Sequence, residues 1–342
     1  MIIAIAVAAA FVVSLTSPLL FRPLLKRFGV IDVPNERSSH SRPVVRGVGL
    51  APLAGMIVGY GVVLASGVTV DIEVIVVLIA VPVAAAVLGL IDDTRGLTVR
   101  VRAGTQLIIG MGGAAAVIVV TGASGWVLPF LALGIAGYIN VANFMDGIDG
   151  ISGLHGLIVG AAYAVLGAIV GAPWLVTAGL LLAAAFLAFL PWNLLRGGVF
   201  LGDIGSYLLG SGVAVAAVAA LASGVPVLAV VGPLAIYLGD TGFTLGRRML
   251  RGERWHEAHN GHVYQLLARG AGMSHLRASG IVSLASSLTA VIGILSVGQQ
   301  LPSTLALGAL MLAVVSIYVM GLVRRSEAAG ASADFNRRVP GK

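Results

Sequence analysis

Apolar runs long enough to cross a bilayer recur through most of this chain. They lie at roughly residues 2–20, 47–66, 72–90, 103–121, 125–143, 151–170, 173–190, 205–223, 225–243, 278–297 and 302–322. About twenty apolar residues in a helix span the hydrocarbon core. The fold class that follows is all-α, a polytopic membrane helical bundle of about eleven transmembrane helices. Composition agrees: 58% of the 342 residues are hydrophobic and 10% charged, against about 25% charged in soluble domains. The 47 glycines would weaken soluble helices, but small residues let membrane helices approach closely. Met1 runs straight into apolar sequence with no basic stretch before it, unlike a cleavable signal, so residues 2–20 read as the first span.

The basic residues set the orientation. With the N-terminus outside, the inside segments are 21–46, 91–102, 144–150, 191–204, 244–277 and the tail from 323. All 21 Lys and Arg fall in them, and the outside loops hold only Asp71, with Glu73 nearby. This is the positive-inside pattern, and it puts the C-terminus in the cytoplasm. The net charge of +7 is then a topology signal with some attraction to anionic headgroups. Basic residues do not alternate with stacking aromatics, which argues against nucleic-acid binding. With no cysteine, thiolate metal sites and disulfides are excluded. Residues 1–325 read as one membrane domain, and 326–342, small and polar with basic residues at the end, as a flexible cytoplasmic tail.

Within this frame the acidic residues gather on one side. Asp92 and Asp93 stand where an apolar run stops. An Asp at mid-bilayer costs about 2.5–3.5 kcal/mol on insertion scales, and one at a helix C-terminus faces a partial negative charge. A pair at the water interface is suited to a cation or a metal-bound phosphate. Asn140, Asn143, Asp146 and Asp149 follow in ten residues, broken by Gly147 and Gly150. Asn140, Asn143 and Asp146 share a face if helical, and such groups suit the imide edge and ribose of a nucleotide, or a cation through water. Asp203 lies between Gly202 and Gly205, where little bulk surrounds the carboxylate, as a Mg²⁺–diphosphate site needs, and Phe200 is placed to stack on a base. Read blandly, Asp203 is only a helix N-cap.

Two inside loops supply positive charge. Arg37, Arg42 and Arg46, with His40 between them, have guanidinium groups that match phosphate oxygens. Residues 247–265 carry Arg247, Arg248, Arg251, Arg254, His256, His259 and His262, a set suited to a diphosphate. A zinc-protease reading of His256-Glu257 fails because Asn260 stands where the second His belongs. His259 and His262 lack a third zinc ligand of obvious spacing.

Taken in order, these stretches resemble a known family. Asp32-x-Pro34-Asn35-x-Arg37-Ser38-x-His40, Asp92-Asp93, Asn140-x-x-Asn143-x-x-Asp146-Gly147-x-Asp149-Gly150, Phe200-x-Gly202-Asp203-x-Gly205-Ser206 and His259-Asn260-Gly261-His262-x-Tyr264-Gln265 are similar to motifs of the polyprenyl-phosphate N-acetylhexosamine-1-phosphate transferases, glycosyltransferase family 4. The resemblance runs from about residue 20 to 267. It implies Mg²⁺-dependent (or Mn²⁺-dependent) transfer of N-acetylhexosamine 1-phosphate from a UDP-sugar to undecaprenyl phosphate, giving polyprenyl-diphospho-sugar and UMP at the cytoplasmic face of a bacterial inner membrane. It further implies catalytic roles for Asp92, Asp93, Asp203, His259 and His262, with Asp203 and Asp92 at the metal and Asp92 as base, if one is needed. Asn140, Asn143, Asp146, Asp149, Phe200, Arg37, His40 and Arg46 would bind substrate. A homodimer is compatible with it.

The run Arg251-Gly252-Glu253-Arg254-Trp255 with Ala258-His259 looks more like the O-antigen-initiating branch than the muramoyl-pentapeptide transferases, which are the alternative. A secondary transporter is the rival from another class, but it would place ionisable residues at mid-membrane between repeats.

Overall fold

The computed structural model describes residues 1–34, 43–67, 71–195, 199–253, 261–269 and 272–338. Its elements in order are helices α1 (Ile2–Thr16) and α2 (Pro18–Arg27), strands β1 (Ile31–Asp32) and β2 (Val44–Val45), and helices α3 (Leu50–Ala65), α4 (Ile72–Arg95), α5 (Val99–Thr121), α6 (Leu128–Met145), α7 (Ile151–Val170) and α8 (Pro173–Leu190). Then follow α9 (Gly202–Ala222), α10 (Val227–Val231), α11 (Ala235–Leu250), α12 (Val263–Arg269), α13 (His275–Leu295) and α14 (Leu301–Arg338).

Among the described residues, ten helical segments are long and apolar enough to cross a membrane. The eleventh expected span is α3, apolar but only 16 residues long, which at 1.5 Å per residue reaches about 24 Å. Some spans are compound. The helices α1 and α2 abut to form Ile2–Arg27, and α10 and α11 form Val227–Leu250 around Gly232-Pro233. Pro233 lacks the N–H that an unbroken helix needs there. The last helix continues past Ser326, where the sequence reading ends the membrane domain.

The axis of the bundle is α9. Every residue from Gly202 to Ala220 is buried, as expected of a helix apolar all round. Lipid is as apolar as leucine, so membrane helices associate through close packing of small residues. A Cβ on Gly89 of α4 would collide with the backbone of Asp203 and Ile204, and one on Gly210 of α9 with the backbone of Tyr138 and Ile139 on α6. Both contacts bring neighbouring helices to the end of α9 that carries Asp203 or along its flank.

A second cluster joins Met145, Ile148 and Ile151 to Ile236, Tyr237, Val263, Tyr264, Leu267, Val282 and Tyr318. It seats α11, α12, α13 and α14 against the α6–α7 connection. The two short strands pair antiparallel, Ile31 with Val45 and Asp32 with Val44. Val45 also bridges Val199 in parallel.

Candidate active site

Asp203 lies in the first turn of α9, entered through Gly202 at φ +76°. An L side chain rarely adopts that backbone. The helix start is capped from another helix: Asp93 of α4 accepts the Asp203 N–H on Oδ1 and the Ile204 N–H on Oδ2, each at 3.0 Å. This fills orphan donors that every helix start leaves.

Arg46 is delivered by backbone pairing. Phe200 N–H donates to Val45 O at 2.8 Å, Val48 N–H to Phe200 O at 3.1 Å and Gly49 N–H to Leu201 O at 2.8 Å. The segment after β2 therefore runs beside the entry to α9. Arg46 Nη2 meets Asp203 Oδ2 at 2.6 Å, and Nε meets Asp93 Oδ1 at 2.5 Å. Burial works against the Arg46 charge, yet Asp203 and then Asp93 raise its pKa above the ordinary value. On the opposite side Asn143 Nδ2 donates to Asp203 Oδ1 at 2.8 Å and to Ser206 Oγ at 3.0 Å.

Asp92 is engaged elsewhere. Its Oδ1 accepts Leu97 N–H at 2.8 Å, and its Oδ2 accepts the Tyr207 hydroxyl at 2.9 Å and meets Arg102 Nη1 at 3.4 Å. Adjacent residues on a helix point about 100° apart, so the pair divides between two tasks. Asn140 also turns from Asp203, donating to Gln106 Oε1 at 2.6 Å and Ala136 O at 2.9 Å.

The Asn143–Gly150 loop is braced at several points. Asp146 Oδ1 accepts the Ser152 hydroxyl at 2.6 Å. Burial pushes the Asp146 carboxyl up to about 7, although the Ser152 bond pulls the other way. Asp149 Oδ2 lies 2.9 Å from His275 Nδ1, and Gly150 N–H donates to Asn193 Oδ1 at 2.5 Å. Phe200, half-buried, is fixed by its backbone between Val45 and Val48. His262 is 2% exposed. Its ring stacks near Phe144, centroids 6.1 Å apart, and its Nδ1 lies 3.1 Å from Asp240 Oδ1. Arg37, His40 and His259 lie outside the described residues.

Of the named residues, Arg46, Asp93, Asn143 and Asp203 therefore form one bonded cluster, with Asp92 joined to its flank through Tyr207. Arg102, Tyr207 and Asn193 were not singled out from the sequence; Ser206 only closes the Phe200 motif there, and Asp240 reads as one more polar group near a helix end. Tyr207 and Ser206 were within reach, since residues three and four beyond Asp203 share its helix face. Arg102 reads as one more positive-inside arginine until α5 places it beside Asp92.

No group of three metal-ligating side chains occurs among the described residues. The donors around Asp203 are carboxylate, amide and hydroxyl groups, a set suited to a hard cation. Mg²⁺ typically takes one or two carboxylates plus substrate phosphates rather than a protein cage, and the oxygen ligands here are of that type. All three carboxylates have both oxygens met by protein donors, Asp203 by Asn143 and Arg46, Asp92 by Leu97 and Tyr207 and Asp93 by the Asp203 and Ile204 N–H groups.

Beside this cluster opens a cavity of about 700 Å³. It is lined by the polar residues Arg102, Asn140, Asn143 and Tyr207 and by apolar ones such as Leu133, Val218, Leu221, Val231 and Leu234. The arrangement joins a charged cluster to an apolar slot.

A family model described as glycosyl transferase family 4 matches residues 74–221. That stretch holds Asp92, Asp93, Asn143, Asp146 and Asp203. The chain is 29% identical over 295 residues to a probable undecaprenyl-phosphate N-acetylglucosaminyl 1-phosphate transferase of Bacillus subtilis, covering 79% of each chain. It is 31% identical to a decaprenyl-phosphate N-acetylglucosaminephosphotransferase of Mycolicibacterium smegmatis, over 55% of this chain and 53% of the relative. It is 33% identical to a phospho-N-acetylmuramoyl-pentapeptide-transferase of Moorella thermoacetica, over 48% of this chain and 61% of the relative.

Proposed function

We propose that the chain is a member of glycosyl transferase family 4 and that it transfers N-acetylhexosamine 1-phosphate from a UDP-sugar to a polyprenyl phosphate. The observation that carries the reading is the junction of Asp203, Asn143 and Arg46 with the apolar cavity behind Arg102 and Tyr207. A polyprenyl phosphate needs both environments at once. Its tail fits an apolar slot, and its headgroup fits guanidinium and amide donors.

In the reaction, an acceptor phosphate oxygen forms a bond to the β-phosphorus of the UDP-sugar. The bond from that phosphorus to the bridging oxygen breaks, and its electron pair leaves with UMP. Phosphoryl transfer is mostly positioning and charge neutralisation. A lipid phosphate is already ionised at neutral pH, so no base is required. The hydrogen bonds on Asp92 support a positioning task for it rather than proton transfer.

Mg²⁺, held by Asp203, would neutralise diphosphate charge when bound. Arg102 holds the acceptor phosphate at the polar side of the cavity lining, Arg46 neutralises the carboxylates of Asp93 and Asp203, and Asn143 orients Asp203. Asp146 and Asp149 serve the uridine side. Positive-inside loops support a cytoplasmic site in the inner membrane, and the Arg251–Trp255 run supports an N-acetylhexosamine donor for the first lipid-linked step of an envelope glycan such as O-antigen.

The test is transfer of radiolabel from UDP-GlcNAc to undecaprenyl phosphate by detergent-purified protein, with and without EDTA. Label is expected in the organic phase with equimolar UMP, and only with divalent metal. A panel of UDP-sugars, the muramoyl-pentapeptide donor included, yielding no lipid-linked product would overturn the reading.

A further inference from the structure

Asp240 is fully buried in α11 and belongs to none of the motifs above. Its carboxylate gathers donors from two other segments, the entry to α12 and α14. Oδ1 accepts Val263 N–H at 3.0 Å and faces His262 Nδ1 at 3.1 Å. Oδ2 accepts Tyr264 N–H at 3.1 Å and the Tyr318 hydroxyl at 2.8 Å. One carboxylate thus caps the first turn of α12, orients the His262 ring and ties both to α14.

What α12 touches gives this anchor its consequence. The Tyr264 hydroxyl donates to Phe144 O at 2.9 Å, and the His262 ring stacks near Phe144. A Cβ on Gly147 would collide with the Tyr264 hydroxyl, so the loop lies directly under that side chain. Phe144 and Gly147 flank Asp146, and Phe144 follows Asn143, which bonds Asp203.

We infer that Asp240 is a positioning residue for the reaction: acting through Tyr264 and His262, it holds the Asn143–Gly150 loop in register with Asp203. The inference rests on the proposed function only for what the loop binds, since the brace is a property of the fold. Charged groups buried in this way are costly unless every oxygen is paired, and here each oxygen has at least two donors.

Two variants separate the brace from general stability. Asp240→Asn replaces an acceptor oxygen with a donor facing donors, and Tyr264→Phe removes only the bond to Phe144 O. Backbone hydrogen exchange, followed by mass spectrometry in detergent, is expected to accelerate at least tenfold for residues 144–150 in both variants. The α3 helix should be unaffected. Binding of UMP is expected to weaken about 10–100-fold, the size of effect that supporting partners have on the groups they orient. The double variant should be no weaker than Asp240→Asn alone, because the two act in series.

Unchanged exchange at 144–150 in Tyr264→Phe overturns the inference, even where Asp240→Asn does not fold. So do effects on UMP binding that multiply in the double variant. Wild-type protein that binds no UMP would sink the donor reading instead, while exchange still decides the brace.

Discussion

Both carboxylate oxygens of Asp93 are occupied by the N–H groups of Asp203 and Ile204, each at 3.0 Å. The second aspartate of the pair is thus the cap of the helix that carries the third. Arg46 bridges the two carboxylates and offsets their mutual repulsion.

Asp93→Asn should therefore act on the fold. The amide leaves one helix-start N–H facing a donor and removes a buried partner of Arg46. Loss of a cap and an unsatisfied buried N–H together cost about 1–3 kcal/mol. The thermal midpoint in detergent is expected to fall, and transfer with it. A midpoint equal to wild type would mean that the cap carries no stability.

Asp203→Asn should act on the chemistry. The side-chain oxygen still accepts from Arg46, the new amide can donate to the oxygen of Asn143 once that side chain flips, and one negative charge beside Asp93 is gone. The midpoint is expected to stay near wild type while transfer drops at least 10³-fold at every Mg²⁺ concentration, in line with loss of a group that neutralises the reacting phosphates. Turnover at the wild-type rate would remove Asp203 from the metal site.

The Asp146 carboxyl, raised to about 7 by burial, makes a prediction about pH. An unfolded Asp ionises near 3.9. Between those values the unfolded chain releases a proton that the folded one keeps, so folding stability falls as pH rises from about 4 to about 7. The slope from this group is at most about 1.4 kcal/mol per pH unit, and above about 7 it vanishes. Asp146→Asn should remove this part of the decline. Thermal midpoints of both proteins across pH 4–8 will show it as a gap that widens with pH in favour of the variant.

Arg102 lines the cavity with its guanidinium 3.4 Å from Asp92. Arg102→Gln is expected to raise KM for polyprenyl phosphate about 10–100-fold, the worth of one or two charge-assisted hydrogen bonds. KM for the UDP-sugar should stay within twofold. Equal rises in both constants would place Arg102 outside the acceptor subsite.

Gly137 lines the cavity, and a Cβ there meets nothing within 4 Å. Gly137→Phe should therefore fold, and its ring should occupy the slot. Transfer to a long polyprenyl phosphate is expected to fall about tenfold while transfer to a two-isoprene acceptor falls less than twofold. An equal loss with both acceptors would put the tail elsewhere.

Much of this is legible in the sequence. Hydropathy reads along one dimension, and the apolar runs reappear as helices, with α3 shorter than a full span. The spacing Asn143 to Asp146 marked a helix end and polar loop, and the glycines around Asp203 marked a tight entry to α9. Other features were hidden. Asp92 and Asp93 look like one acidic unit, yet the helix turn between them sends one to Tyr207 and the other to the start of α9. Asn140 looked equivalent to Asn143 but bonds Gln106. Asp240 looked like one more polar group near a helix end.

By itself the sequence determined that the chain crosses a membrane many times, which loops are basic, and which polar residues stand at helix ends. Those properties follow from local hydrophobicity and charge, which need no knowledge of neighbours. Only the tertiary structure decided which carboxylate meets which donor. Those pairings join residues such as Arg46 and Asp203, or Asp240 and Tyr264, whose distance in space is set by helix packing and not by their separation in the chain.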